Sequence, residues 1–390
     1  MTGLRRVPLG ALDVGSEPEL VERLREEIER DGPITFARFM ERALYEPGLG
    51  YYRRPRPGPG RAGDFLTAPE THPIFGHALS RLVTDVWERL DRPSPFVLRE
   101  HGAGEGALAI AILDGLAETP ELLEAIVVEP VELEPARLEA FDTRLDAAGH
   151  GARHRPTGTA AITGLALANE VLDALPVHRL VQRGADLREV LVGWRDGGFV
   201  DVEAPPSSPR LEERLSREQI ALVDGQRAEV CLAIHDWVAT AAAQLRRGVL
   251  LVIDYGHPAA ELYGPRRRAG SLAAYVNHRV HDDPLVNVGR QDLTAHVDVS
   301  AVQDAAVAAG LVALGATTQA ELLAGLGIED LLQQAQSDPA TTMESYVTLR
   351  AGLMRLLDPA ATGAFRILAF GRDVPIEPPL RGFEFRLQRP

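Results

Sequence analysis

The sequence contains no lysine, and all 41 of its Lys-or-Arg positions are arginine. That excludes Schiff-base chemistry, a lysine general base and a phosphate-binding loop lysine. Cysteine is almost as scarce. Cys231 alone builds neither a disulfide framework nor a thiolate zinc cluster. An excess of positive charge is missing too: 56 acidic residues leave a net charge of −15 and a pI near 5.3. An extended nucleic-acid surface is disfavoured, so no nucleic-acid partner is expected. No apolar run approaches the roughly 20 residues of a membrane-spanning helix, so no membrane partner is expected either. Met1 to Glu19 lacks an apolar signal core and carries Asp13, Glu17 and Glu19, unlike an acid-poor transit peptide. The expected location is therefore cytoplasmic.

What is present suits a folded enzyme. The 390 residues are 45% hydrophobic and 25% charged, enough for one elaborated α/β domain or two. Leu20, Val21, Leu24 and Ile28 give Pro18 to Arg30 a helical stripe. Thr35 can cap a second helix, Phe36 to Leu44. An αβ alternation then runs from about 96 to 176. Short Val- and Leu-rich runs from Val177 to Val202 read as a β-meander, and Arg227 to Leu245 as a long helix that includes Cys231. Gly248 to Ile253 reads as a buried strand, with helices near 299–309, 319–335 and 341–357 and strands near 311–317 and 365–370 completing a sheet. Arg153 to Arg155 is a weak strand signal. The expected division is an N-terminal helical region over 1–92, a core over 93–176 and 248–390, and an insertion over 177–247.

The chemistry gathers at strand ends. Phe96-Val97-Leu98 enters a turn, Glu100-His101-Gly102-Ala103-Gly104-Glu105-Gly106, and good helix formers leave it. Its alternate glycines allow positive φ and close approach of a ligand, beside the free N–H groups of a new helix. Glu129 follows a short apolar strand, 23 residues after Gly106. An acid at the tip of a second strand is where a Rossmann-like fold accepts from vicinal ribose hydroxyls. Asn169, Glu170 and Asp173 follow the next strand, and Asp254 the one after. The carboxyl edge of an open α/β sheet is where ligands bind, although helix capping by Asn169 with solvated acids also accounts for the pattern. Asp64, Thr67 and Glu70 precede a helix, where capping by Thr67 suffices to explain them. His278, His281 and Asp282 have neither the helical frame nor the second ligand pair of a metal centre, and no metal is expected.

Two activities compete for such an edge: nucleotide-linked hydride transfer and methyl transfer from S-adenosyl-L-methionine. A pyrophosphate calls for G-x-G-x-x-G, whereas this turn is G-x-G-x-G preceded by Glu100. A methyl donor has no pyrophosphate, and carboxylates suit its ammonium group. A silent donor-binding scaffold is the remaining alternative.

Taken in order, the stretches Gly63–Glu70, Glu100–Gly106, Ala168–His178, Ile253–His257 and Asp292–Asp298 resemble the MidA-like family of class I methyltransferases. That family includes a mitochondrial protein-arginine methyltransferase that assists respiratory complex I assembly. The resemblance spans about Thr35 to Thr318. It implies a Rossmann-like class I methyltransferase sheet with helices on both faces, an N-terminal helical extension and a β-meander and helix as insertion. It further implies S-adenosyl-L-methionine as cofactor, and a protein substrate such as a respiratory-complex subunit, methylated on an arginine guanidinium. The donor would be held by Glu100, Gly102, Ala103, Gly104, Gly106, Glu129 and Asn169, with Asp64, Thr67 and Glu70 closing the site. Glu170 would lead the chemistry, supported by Asp173 and Asp254. Glu105 and Val299 depart from the family pattern, the first on the donor side and the second on the acceptor side.

Overall fold

A computed structural model describes residues 12–54, 72–277, 279–339 and 341–386. Six strands form the main sheet: β1 (Phe96–His101), β2 (Ile126–Val131), β3 (Ile162–Asn169), β4 (Leu245–Asp254), β5 (Val312–Thr318) and β6 (Arg366–Arg372). Their order is β5-β6-β4-β3-β1-β2. Strands β2, β1, β3 and β4 are parallel, while β6 runs antiparallel to both neighbours. Every residue of β1 is buried, as a strand covered on both faces requires. One face packs on helices Ile74–Arg89 and Ala107–Gly115, the other on helices Ala233–Ala243 and Val299–Ala308. The chain leaves β1 on one side to make β2 and returns on the other for β3. A crevice opens at that switch point, outside the carboxyl ends of the strands.

The first two helices, Pro18–Asp31 and Phe36–Tyr45, lie where their apolar periodicity predicts. Thr35 caps the second, accepting from the Arg38 N–H at 3.1 Å. Both helices pack on a four-stranded antiparallel sheet ordered Gly198–Ala204, Asp186–Arg195, His178–Arg183 and Arg227–Val230. Phe39 meets Phe199 edge-on at 5.2 Å, and Ile34 bridges Val192 through two backbone hydrogen bonds. The N-terminal helices are thereby fixed, and the turn after them reaches over the crevice.

Two sequence expectations need correcting here. Arg227–Val230 is a strand, and the helix begins only at Ala233. Pairing with His178–Arg183 buries Ala228, Glu229 and Val230. Cys231 falls between strand and helix, and burial pushes its thiol up to about 12. Arg153–Arg155 is no strand. A short 3-10 turn occupies Gly151–Arg153, and only an isolated bridge joins His154 to Val128. Strand β2 is consequently the sheet's edge.

The sheet's centre is tight. Gly164 and Gly248 face each other in register at φ +152° and +143°. A Cβ on Gly248 would stand 1.9 Å from the Gly164 carbonyl oxygen. Gly248→Ala should therefore cost about 2–3 kcal/mol in urea unfolding, since strain and overpacking both apply; an unchanged midpoint would contradict this packing.

Candidate functional site

The glycine turn takes the form expected of it. Gly102, Gly104 and Gly106 have φ of +68°, +53° and +84°. A Cβ on Gly104 would meet nothing within 4 Å, so the backbone there borders open space. Gly102 donates to the Val131 carbonyl at 2.9 Å, tying the turn to the end of β2. A cavity of about 490 Å3 opens above the turn, within the range of small-molecule sites. Glu100 and His101 floor it. The turn from Gly102 to Glu105 forms one wall, Glu132 and Leu133 a second, and Asn169, Glu170 and Asp173 a third. Tyr45, Tyr52 and Trp237 complete the enclosure.

Burial strongly biases the floor. It pushes the Glu100 carboxyl up to about 8, with the charge of Glu132 adding to the effect and the Ala109 amide opposing it. The His101 imidazole is held down at about 4, first by burial and then by Arg99, and its ring meets Trp237 edge-on at 5.3 Å. Four shielded atoms of the lining have no hydrogen-bond partner among the described residues: Glu100 Oε2, His101 Nε2, Asn169 Oδ1 and Asp173 Oδ1. Buried polar atoms are normally paired, so this set is consistent with a ligand that supplies their partners.

Glu129 does not belong to this cavity. It is 2% exposed and locked between two arginines. Its Oε2 accepts from Arg99 Nε at 2.8 Å, and its Oε1 from Arg155 Nε at 2.8 Å. The acid at the strand tip is instead Glu132, whose Oε2 accepts from the Gly104 N–H at 3.0 Å and Oε1 from Leu133 N–H at 2.8 Å. The strand runs three residues past Val128, through Pro130. Proline is tolerated there because β2 is an edge strand.

Asp254 is a second correction. It does not line the cavity. Its Oδ2 accepts from the N–H groups of Val171, Leu172 and Asp173 at 3.2, 2.9 and 3.2 Å, and its Oδ1 from Tyr255 N–H at 2.9 Å. It staples the turn after β3 to the tip of β4. Burial, followed by the charges of Asp173 and Glu170, raises its pKa well above the usual carboxylate range. Asp173, beside the Tyr255 phenol, is raised by burial to about 6. Glu170 takes a left-handed φ of +52° and anchors its N–H on the Ile253 carbonyl at 2.9 Å. Asn169 Nδ2 donates to Glu170 Oε1 at 3.2 Å.

The remaining candidates divide. Gly102, Ala103 and Gly104 line the cavity, whereas Gly106 caps helix Ala107–Gly115 outside it. Glu105 pairs with Arg144 at 3.1 Å near the surface. Asp64, Thr67, Glu70 and His278 lie outside the described residues. Sequence reasoning missed Glu132, His101, Trp237 and the two tyrosines. Tyr45 donates to the Ala174 carbonyl at 2.9 Å and Tyr52 to Asp292 Oδ1 at 2.7 Å, and their rings stack 5.6 Å apart. One signal was present: three of seven tyrosines fall within 45–52. Among the described residues no three His, Cys, Asp or Glu converge to hold a metal ion, and no helix is long and apolar enough to cross a membrane.

Comparison with known proteins gives one consistent answer. Residues 78–317 match the family model of S-adenosyl-L-methionine-dependent methyltransferases. A Drosophila melanogaster relative, protein arginine methyltransferase NDUFAF7 homolog, is 31% identical over 90% of this chain and 84% of its own. Human NDUFAF7, also named a protein arginine methyltransferase, is 28% identical over 90% of this chain and 83% of its own. Both are named mitochondrial, which overturns the expectation of a cytoplasmic location. That expectation rested on the acid-rich stretch before Glu19, which does not decide a compartment. Among solved structures, a Burkholderia thailandensis protein bound to S-adenosyl-homocysteine superposes with a TM-score of 0.85. It is 34% identical, covering 94% of this chain and 95% of its own.

That ligand serves to separate the two acids. Glu132→Gln should weaken S-adenosyl-homocysteine binding about 10- to 100-fold, the worth of one or more charge-assisted hydrogen bonds, at a stability cost of about 1 kcal/mol for the backbone bond it loses. Glu129→Gln should do the reverse, costing about 3–5 kcal/mol of stability by breaking a buried ion pair. Equal calorimetric affinities for Glu132→Gln and the wild type would contradict the assignment.

Glu100 sets a pH dependence. Its folded pKa of about 8 lies above its ordinary 4.5, so its contribution to stability is complete below about pH 4.5 and is lost as the pH rises through 8. A cationic group bound beside it would restore the carboxylate by lowering that pKa. Calorimetry at pH 6.5 in buffers of different ionisation enthalpy should show proton release when S-adenosyl-homocysteine binds, and none for Glu100→Gln. Buffer-independent heats for the wild type would refute this.

Proposed function

The chain belongs to a family of S-adenosyl-L-methionine-dependent methyltransferases, and we propose that it methylates an arginine guanidinium of a protein partner. The observation that carries this reading is the acidic, aromatic third of the cavity. Glu170 and Asp173 enter it from the turn that Asp254 holds, under Tyr45, Tyr52 and Trp237. Burial raises the pKa of Asp173, and burial followed by the charges of Asp173 and Glu170 raises that of Asp254, so this pocket favours a bound cation. A planar guanidinium suits such a site twice over, by bidentate hydrogen bonding to a carboxylate and by stacking on aromatic faces. The names of the fly and human relatives point the same way. The family resemblance makes a respiratory-complex subunit the first acceptor to assay.

The residues fit the donor as well. Glu132, Glu100, Asn169 and the backbone from Gly102 to Gly104 would hold it. The donor, when bound, supplies a methyl group already activated on sulfur. The protein's own work is alignment and charge control. Glu170 receives the guanidinium and fixes the plane of its nitrogens. Asp173, held at about 6 by burial, takes up the proton that the attacking nitrogen sheds. The tyrosines and Trp237 exclude water, which strengthens both interactions. Asp254 positions the turn without touching either substrate.

Glu170→Gln should leave S-adenosyl-homocysteine affinity within about twofold while turnover falls about 100-fold, the usual worth of a group that aligns the reacting atoms. Transfer of labelled methyl to protein is the readout. Unchanged turnover would remove Glu170 from the mechanism.

A further inference from the structure

A second cavity, of about 440 Å3, lies at the far end of the same carboxyl edge, among Pro258, Gln303, Thr317, Glu321, Arg366 and Arg386. Among the described residues neither of its arginines, Arg366 or Arg386, has a carboxylate within ion-pair distance. The Arg366 Nε is shielded from solvent and has no acceptor. Arg386 Nη1 donates only to the Phe383 and Phe385 carbonyls, both at 2.7 Å. The cavity's one acid, Glu321, turns its Oε2 toward the cap of its own helix, accepting from Thr317 Oγ1 at 3.0 Å and Thr318 N–H at 3.2 Å. Nearby, Arg267 also lacks a carboxylate partner and donates to His257 Nε2 at 2.6 Å. Both Arg267 and Arg366 act on His257 electrostatically.

Strand register fixes how this cavity relates to the first. Asn169 pairs with Ile253, and the next residue of β4, Asp254, pairs with Arg366. Two interstrand steps of about 4.8 Å separate the tip of β3 from the start of β6, so Arg366 stands roughly 10 Å along the edge from the acidic turn. An extended peptide covers that span in about three residues. Tyr255, which follows Asp254 in the chain, packs its ring 5.2 Å from His296 and 5.4 Å from the buried Phe365.

We infer that the Arg366–Arg386 cavity receives an acidic side chain of the acceptor protein, placed about three residues from the methylated arginine. The inference rests on arginine being the acceptor. The edge would then read two charges of opposite sign at a fixed spacing: a cation among Glu170 and Asp173, and a carboxylate on the arginine fork of Arg366.

The test is fluorescence anisotropy with labelled Gly-Glu-Gly-Gly-Arg-Gly-Gly-Glu-Gly, which offers the acid on either side. Its analogues carry Gln for both Glu, or citrulline for Arg. On the wild type, the Glu-to-Gln change should weaken binding about five- to tenfold, as expected for a charge-assisted bond near the surface. On Arg366→Gln and on Arg386→Gln it should matter less than twofold. Arg386→Gln lies in the C-terminal tail and carries the test should Arg366→Gln fail to fold. An acid effect of equal size on all three proteins, or no saturable binding of the parent peptide, overturns the inference. An acid effect confined to the wild type together with indifference to citrulline overturns the arginine reading and leaves the carboxylate cavity standing.

Discussion

One carboxylate holds the reactive edge together. Asp254 sits at the tip of β4, is 3% exposed, and accepts from three consecutive backbone N–H groups of the turn after β3. An ordinary hydrogen bond contributes about 0.5–1.5 kcal/mol, and here three converge on a turn that no helix or strand otherwise orders. That turn carries Glu170, in a backbone region that costs about 1–3 kcal/mol for a non-glycine residue. The strain persists because Asp254 on one side and the Ile253 carbonyl on the other leave the turn no alternative. Without the staple, Glu170 and Asp173 would lose their common direction, and the cavity its acidic wall.

The same logic runs along the edge. Each parallel strand ends in a group whose job is set by depth. Glu129, inside β2 and three residues before Glu132, is buried and serves the fold by binding Arg99 and Arg155. Glu132, past the end of the strand, keeps its carboxylate in the cavity while three backbone N–H groups orient it. Glu100 lies at the floor, where burial keeps it protonated near neutral pH until a cation arrives. Carboxylates of one chemical type thus take up structure, orientation or charge response according to how much water each retains.

Much of this was legible in the residues alone. Composition excluded lysine chemistry, a disulfide framework and a thiolate zinc cluster, and the ordered motifs named the family. What escaped depended on register or on distance along the chain. Reading the strand as ending before Glu129 put that acid at the tip, whereas β2 runs on to Val131 and Glu129 is buried between Arg99 and Arg155. Asp254 stands at a strand tip just as a catalytic acid would, and only the pairing of β4 with β3 reveals the amides it faces. Tyr52 reaches Asp292 across 240 positions of sequence, so no local pattern could have put it over the cavity. Arg227–Val230 looked helical because the helix that follows supplied the periodicity.

The central claim is that this edge transfers a methyl group to arginine in a protein. The direct measurement is to incubate the enzyme with S-adenosyl-L-methionine labelled in the methyl group and candidate respiratory-complex subunits, hydrolyse the labelled protein, and identify the amino acid that carries the label. The account predicts methylarginine with the wild type and its loss with Glu170→Gln. Label recovered on any other amino acid, or equally from both enzymes, would contradict it.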